Sequence, residues 1–160
     1  MVDTVSKKRR SEIMSRIRSK DTGPEKLVRS LLHKMGFRYR LHSSRLPGKP
    51  DITLSKYNAV IFVHGCFWHG HGCKFSKKLP STRPGFWRDK ILKNRARDRK
   101  ALKALQKDGW RVCCIWECAL KRKGRIPDDV LGKKLATWLV SGRKFFDIYR
   151  KQNDKIKKSL

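Results

Sequence analysis

Acidic residues are scarce in this chain. Thirteen Asp and Glu stand against 42 Lys and Arg in 160 residues, a formal net charge of +29. Such a surface repels itself when free, and a polyanion is the partner that supplies the missing charge. The imbalance names nucleic acid as the partner class and leaves the chemistry open, because a ribosomal or histone-like binder would fit it equally well. Long hydrophobic runs are also missing. The longest, Ala59-Val60-Ile61-Phe62-Val63, has the length of a buried strand, so no segment predicts a membrane span. The basic residues Lys7 to Arg10 are not followed by an apolar stretch, so no secretory signal is predicted and the expected location is the cytoplasm, on the nucleoid. Internal repeats and low-complexity linkers are absent. Cysteine is present in an odd number, five, which in a cytosolic chain argues against a disulfide framework. Hydrophobic residues still make up 38% of the sequence, which excludes a disordered basic tail and allows one real core.

The pattern along the chain predicts helix, strands, helix, strand, helix. Residues 7–20 are basic and weakly helical, with Ile13, Met14 and Ile17 at helical spacing, and are a candidate arm for DNA phosphates. Thr22-Gly23-Pro24-Glu25 opens a helix as a capping box, Leu27, Val28, Leu31, Leu32 and Met35 form its apolar stripe, and Gly36 ends it. Phe37 to Leu41, Asp51 to Leu54 and Tyr57 to Val63 read as strands, the last two joined tightly at Ser55-Lys56. His64 to Cys73 carries too many glycines and imidazoles for a strand. A long helix follows from Thr82–Gly85 to about Lys107, then a buried strand from Trp110 to Trp116, then one or two helices beyond Arg125, with the last ten residues expected to fray. This order predicts an α/β fold, one mixed sheet with helices packed on it.

Cys66, His71, Cys73 and Cys118 make a plausible tetrahedral zinc set, three of them crowded on one loop and the fourth arriving from the end of a strand. His69 competes with His71 for the imidazole position, and spacing does not separate them. Cys113 and Cys114, mid-strand between Val112 and Ile115, read as small core residues.

With so few acids, each one that points inward is informative. Asp51 stands at the mouth of a strand, where it is either a turn former or a metal ligand at the same sheet edge as His64. Asp98 shares a stripe of the long helix with Ile91, Leu102 and Leu105. A lone carboxylate there must be paired, by an arginine or by a histidine that it orients. Glu25 is explained by the capping box, although it shares a face with Val28, Leu32 and Met35. Phosphodiester hydrolysis needs an activated water, a stabilised phosphorane and a protonated leaving group, which carboxylate-bound magnesium and a histidine can supply. Phe67-Trp68 and Phe86-Trp87 are core aromatics or wedges that enter DNA.

Pro47-Gly48-Lys49-Pro50-Asp51, Ile61 through Cys73, Phe86-Trp87, Asn94 to Asp98, Gly109-Trp110-Arg111-Val112 and Trp116-Glu117-Cys118-Ala119-Leu120 together closely resemble the very-short-patch repair (Vsr) endonucleases, over about Arg9 to Leu120. The resemblance implies a fold similar to type II restriction endonucleases with a structural zinc site. It implies nicking on the 5′ side of the thymine in T:G mismatches left by 5-methylcytosine deamination, in a CCWGG-like context. Carried over residue by residue, Asp51 and the backbone carbonyl of Val63 would face magnesium, and His69 backed by Asp98 would move the proton. His64 and Glu25 would support them. Cys66, His71, Cys73 and Cys118 would hold zinc, and Phe67, Trp68 and Trp87 would enter the DNA. The acidic-x-Lys of the wider superfamily is replaced here by Phe62-Val63-His64, so histidine must take over the proton work. The expected organisation is a basic DNA-binding arm (1–20), an endonuclease domain (21–140) and a basic tail (141–160). The expected partner is double-stranded DNA with a T:G mismatch, bound by a monomer, with mismatch-repair proteins as candidate recruiters. The rival readings are a zinc-stapled, non-catalytic DNA-binding module and a restriction-type nuclease cutting matched sites.

Overall fold

The structure is a computed structural model and describes residues 6–16, 20–74, 76–121 and 125–150. One sheet organises them. Its five strands are β1 (Arg40–Leu41), β2 (Ile52–Leu54), β3 (Ala59–His64), β4 (Arg111–Trp116) and β5 (Phe145–Ile148), and they lie side by side in sequence order. β1, β2 and β3 pair antiparallel, whereas β3–β4 and β4–β5 pair parallel. The parallel pairs require crossovers. Helix α3 (Pro84–Lys107) supplies the first, and the short α4 (Glu117–Leu120) with α5 (Asp128–Val140) supplies the second. The mixed sheet flanked by helices is the architecture that the residue pattern predicts.

Alternation along the strands sorts the two faces. Ile52, Leu54, Ala59, Ile61, Cys113, Ile115 and Ile148 point to one side and form the main core with Val28 and Leu32 of α2 (Gly23–Lys34) and Leu131, Leu135 and Leu139 of α5. Burial of each such Leu or Ile contributes roughly 1.5–3 kcal/mol. Val60 and Val112 point to the other side, against Leu105 of α3, with Phe62, Leu102 and Cys114 around them. The second core is small, and the residues that continue its face, His64 and Trp116, are polar or amphipathic.

The α2 capping box forms as its sequence predicts: the Thr22 hydroxyl accepts from the Glu25 N–H, and the Glu25 carboxylate accepts from the Thr22 N–H. The basic helix α1 spans Lys7–Ser15, with Ile13 46% exposed. The arm's Ile17 lies outside the described residues, as do the last ten residues, 151–160.

Three departures from the sequence pattern stand out. Phe37–Leu41 yields only the two-residue β1. Ser55–Tyr57 forms a 3-10 turn, closed by Asn58 in the left-handed region, so β3 starts two residues later than the apolar pattern suggests. The third concerns residues after Val140. They are expected as helix and tail, but Phe145–Ile148 completes the sheet as β5. Arg111 fastens this end. Its guanidinium donates to the carbonyls of Tyr57, Trp138, Leu139 and Ser141, satisfying the C-terminal carbonyls of α5 and tying them to the start of β3.

Candidate active site

The loop after β3 is pressed onto α3. Gly70 has φ +60, and a Cβ there would lie 2.6 Å from Ile91 Cγ2, so only glycine allows the approach. The Leu46–Pro50 turn docks on the same helix: a Cβ on Gly48 (φ +75) would lie 2.7 Å from Ala101 Cβ. These contacts bring the mouth of β2, the end of β3 and the middle of α3 around one open cleft, lined by Glu25, Asp51, His64, His69 and Asp98 among others.

Within the cleft, His69 Nδ1 lies 2.6 Å from Asp98 Oδ2. The stripe carboxylate is thus paired with a histidine rather than an arginine. The His69 ring stacks on His64, with centroids 3.9 Å apart and planes 3° from parallel. Burial, first, and then the neighbouring His69 push His64 down to about 3, so His64 is neutral near pH 7. Burial alone would raise the Asp98 carboxyl, but the His69 hydrogen bond, the imidazole charges and Arg97 together carry it below the usual carboxylate range.

Asp51 sits just ahead of β2 and accepts the Val63 N–H at 2.7 Å through Oδ2. Burial foremost, with the Glu25 charge, pushes its carboxyl up to about 6, against the pull of the Val63 bond, His42 and Arg29. The backbone explains the neighbouring carbonyl. Arg111 N–H bonds to Asn58 O, so the even-numbered residues of β3 bond to β4 and the odd-numbered ones face β2. The register Ile52↔Ile61 continues to place Pro50 opposite Val63. Proline has no N–H to give the Val63 carbonyl. That carbonyl therefore points to the side of Asp51 with no ladder donor from β2.

Glu25 is 3% exposed and is more than a cap. Its Oε2 accepts from Arg29 Nη2 at 2.8 Å and from the Asp21 N–H at 3.0 Å. His42 closes this cluster, with Nε2 3.0 Å from Arg29 Nη2 and Nδ1 4.0 Å from Asp51 Oδ1. Sequence reasoning missed Arg29 and His42. One lies among many arginines and the other just past a weak strand, and neither sits in a motif.

The same loop carries a second cluster. The ligand atoms of Cys66, His71, Cys73 and Cys118 all lie within 4.8 Å of one another, a set that could hold a metal ion. His71 Nδ1 faces Cys118 Sγ at 3.7 Å, and the Cys118 N–H donates to Cys66 Sγ at 3.3 Å. Burial pushes the Cys66 and Cys118 thiols up and the His71 ring down, so without a cation the cluster favours neutral ligands. His71 stacks on Trp116, whose indole donates to Asp147 of β5 at 2.6 Å. His69 and His71 are thereby separated: the first belongs to the cleft and the second to the thiols. Cys113 is fully buried in the main core, and Cys114 packs in the smaller one.

Phe67, Trp68, Trp87 and Phe86 form a chain of edge-to-face contacts at the rim, with Phe86 53% exposed. Lys90 Nζ lies 5.4 Å from the Trp68 ring, and Asn94 donates to the Trp68 carbonyl at 2.8 Å. These contacts are all made by the loop and the first turns of α3, so the rim is built as one surface.

Comparison with known proteins agrees. The profile of the DNA mismatch endonuclease Vsr family matches residues 2–75. The chain is 51% identical to the type II nicking enzyme V.XorIIP of Xanthomonas oryzae pv. oryzae, over 79% of this chain and 92% of that protein. It is 44% identical to the DNA mismatch endonuclease Vsr of Escherichia coli, over 87% of this chain and 88% of that protein. It is 49% identical to the type II nicking enzyme V.NmeAIP of Neisseria meningitidis, over 77% and 87%. A solved homing endonuclease catalytic domain overlays at TM-score 0.44 with 20% identity, over 76% of this chain and all of that one. Similarity that spans most of the chain and most of each relative places this protein in the Vsr family of DNA mismatch endonucleases.

Proposed function

We propose that this endonuclease nicks one strand of duplex DNA on the 5′ side of the thymine in a T:G mismatch, using magnesium held by Asp51 and the Val63 carbonyl. The observation that carries the reading is the His69–Asp98 pair at 2.6 Å, stacked on His64 in the cleft that Asp51 lines. Magnesium at Asp51 would stabilise the charge that develops on the phosphate and lower the pKa of a bound water. The donor set fits a hard cation: a carboxylate oxygen not used by the Val63 N–H, beside a carbonyl that Pro50 leaves without a ladder donor.

Protein groups do the rest. With Nδ1–H given to the Asp98 carboxylate, His69 keeps Nε2 free to exchange a proton with the reacting oxygens. Neutral His64 fixes the ring plane of His69 by stacking. Glu25 supports the site from α2, lining the same cleft as Asp51. Phe67, Trp68 and Trp87 are the wedge that enters the duplex at the mismatch, and the +29 charge supplies the phosphate contacts, including those of the arm (1–20) and tail (141–160). Cys66, His71, Cys73 and Cys118 are assigned structural zinc, because three buried thiols and an imidazole whose ligand atoms lie within 4.8 Å of one another suit its closed sites. The sheet with an acid at the β2–β3 mouth supports a fold of the type II restriction endonuclease kind. The enzyme acts as a monomer in the cytoplasm, on the nucleoid, and mismatch-repair proteins are candidate recruiters.

The test is an end-labelled duplex with one T:G mismatch in a CCWGG-like site, incubated with and without magnesium beside a matched control. A magnesium-dependent nick immediately 5′ of the thymine, absent from the control, is expected. Equal cutting of the matched duplex would favour a restriction-type nuclease, and tight binding with no nick under any divalent ion would reject catalysis.

A further inference from the structure

The Asp21, Glu25 and His42 ligand atoms lie close enough together to hold a metal ion. A guanidinium stands among them instead. Arg29, with only 11% of its side chain exposed, reaches Asp21 Oδ1 at 2.5 Å, Glu25 Oε2 at 2.8 Å and His42 Nε2 at 3.0 Å. A guanidinium offers donors only, so the nitrogen of His42 that faces it at hydrogen-bond distance presents its lone pair. Nε2 also lies 3.5 Å from Asp21 Oδ1, the limit of hydrogen-bond reach, and the shorter guanidinium contact places the ring proton on Nδ1, which stands 4.0 Å from Asp51 Oδ1, beyond hydrogen-bond distance. Asp51 Oδ2 is already taken by the Val63 N–H. His42 therefore approaches the one oxygen of Asp51 left for a cation.

The backbone holds this arrangement under strain. His42 has φ +47 and Asp21 φ +55, left-handed values uncommon outside glycine, and Lys49, two residues before Asp51, has φ +51. The His42 N–H also donates to the Asp51 carbonyl at 3.1 Å, so side chain and main chain of His42 address the same residue. Arg29 Nε is buried with no partner, the kind of uncompensated donor that marks a position kept for something other than stability.

We propose that Arg29 and His42 are positioning residues for Asp51: Arg29 stands as a fixed cation between Asp21 and Glu25 and orients His42, whose main-chain N–H anchors the Asp51 carbonyl and whose ring, 4.0 Å from the free oxygen of Asp51, keeps that oxygen turned toward the metal. The inference rests on the reading of Asp51 as a magnesium ligand. Outer-shell partners of a ligating carboxylate are typically worth about 10–100-fold in metal affinity.

Two readouts test it: manganese(II) binding to the DNA-free protein by electron paramagnetic resonance, and nicking of the T:G duplex against magnesium concentration. His42→Ala is expected to weaken manganese binding and raise the half-saturating magnesium concentration by about 10-fold. His42→Asn should recover most of both, because asparagine tolerates positive φ and its amide N–H stands near the place of Nδ1–H. Arg29→Lys should shift both as His42→Ala does, since an ammonium cannot span three partners, and it decides the matter with His42→Asn if His42→Ala does not fold. Wild-type metal dependence in folded His42→Ala, or equal losses in the Ala and Asn variants, would overturn the proposal. Asp51→Ala is the control. Wild-type manganese affinity there sinks the metal assignment itself, whereas loss there with no change in His42→Ala sinks only the positioning role.

Discussion

His69 and His71 are two residues apart on one loop and have opposite surroundings. His69 faces the cleft, hydrogen-bonded to Asp98 and stacked on neutral His64, with 25% of its side chain exposed. His71 turns to Cys66, Cys73 and Cys118 and lies flat on Trp116. Gly70 makes the reversal possible, at φ +60 and pressed against α3 where no Cβ fits. On the proposed reading, two imidazoles of equal intrinsic chemistry would serve as a proton carrier and a structural ligand through what they touch. Partners decide the roles, and a short glycine-hinged stretch serves two centres at once.

Substitutions can break this division. The largest effect is expected at the cleft: Asp51→Ala should lower single-turnover nicking by at least about 1,000-fold, a loss of several kcal/mol of charge stabilisation, while gel-shift affinity for the T:G duplex is retained. Retained nicking would remove Asp51 from metal binding. His69→Ala should cost about 100- to 10,000-fold in the same assay with no change in zinc content. Asp98→Asn, which leaves the ring but removes its orienting charge, should cost about 10–100-fold.

The other half of the loop should respond in the reverse sense. Cys118→Ser is expected to lower folded yield and the zinc-to-protein ratio by elemental analysis, with any residual folded fraction keeping some nicking. Unchanged zinc stoichiometry would reject Cys118 as a ligand.

The smallest expected effect concerns pH. Burial raises Asp51 from 3.8 to about 6, so its ionised form is disfavoured in the fold. The sign follows: the metal-free protein keeps this contribution in full below about pH 4 and loses it as pH rises through 6. With metal chelated, Asp51→Asn should therefore stabilise the protein at pH 7.5 by on the order of 1–3 kcal/mol and make little difference at pH 4. A pH-independent effect in thermal unfolding would contradict the burial argument.

Much of this was legible in the sequence because it rests on local signals. The capping box at Thr22 and Glu25, the apolar run of β3, the stripe of α3 and the thiols around His71 all carry their own spacing. Asp98 was legible as a problem, a carboxylate on an apolar stripe, and the fold answered it with a histidine from 29 residues away. The misses have physical causes. β5 is four residues long, partly exposed and preceded by basic residues, so only its pairing with β4 makes it a strand. Phe37–Leu41 alternates, yet only two of its residues find a partner. Arg29 and His42 acquire meaning solely from the meeting of α2, β1 and the approach to β2, which no periodicity encodes.

The fork of Arg111 has a practical consequence for where the chain can be shortened. A protein ending at Val140 would keep every residue assigned to cutting and all four candidate zinc ligands. It would nevertheless lose the Ser141 carbonyl that the guanidinium binds, the outermost strand, and with Asp147 the acceptor that holds the Trp116 indole under His71. The basic C-terminal segment, which composition alone would assign to the polyanion, begins as the buttress of the cysteine cluster.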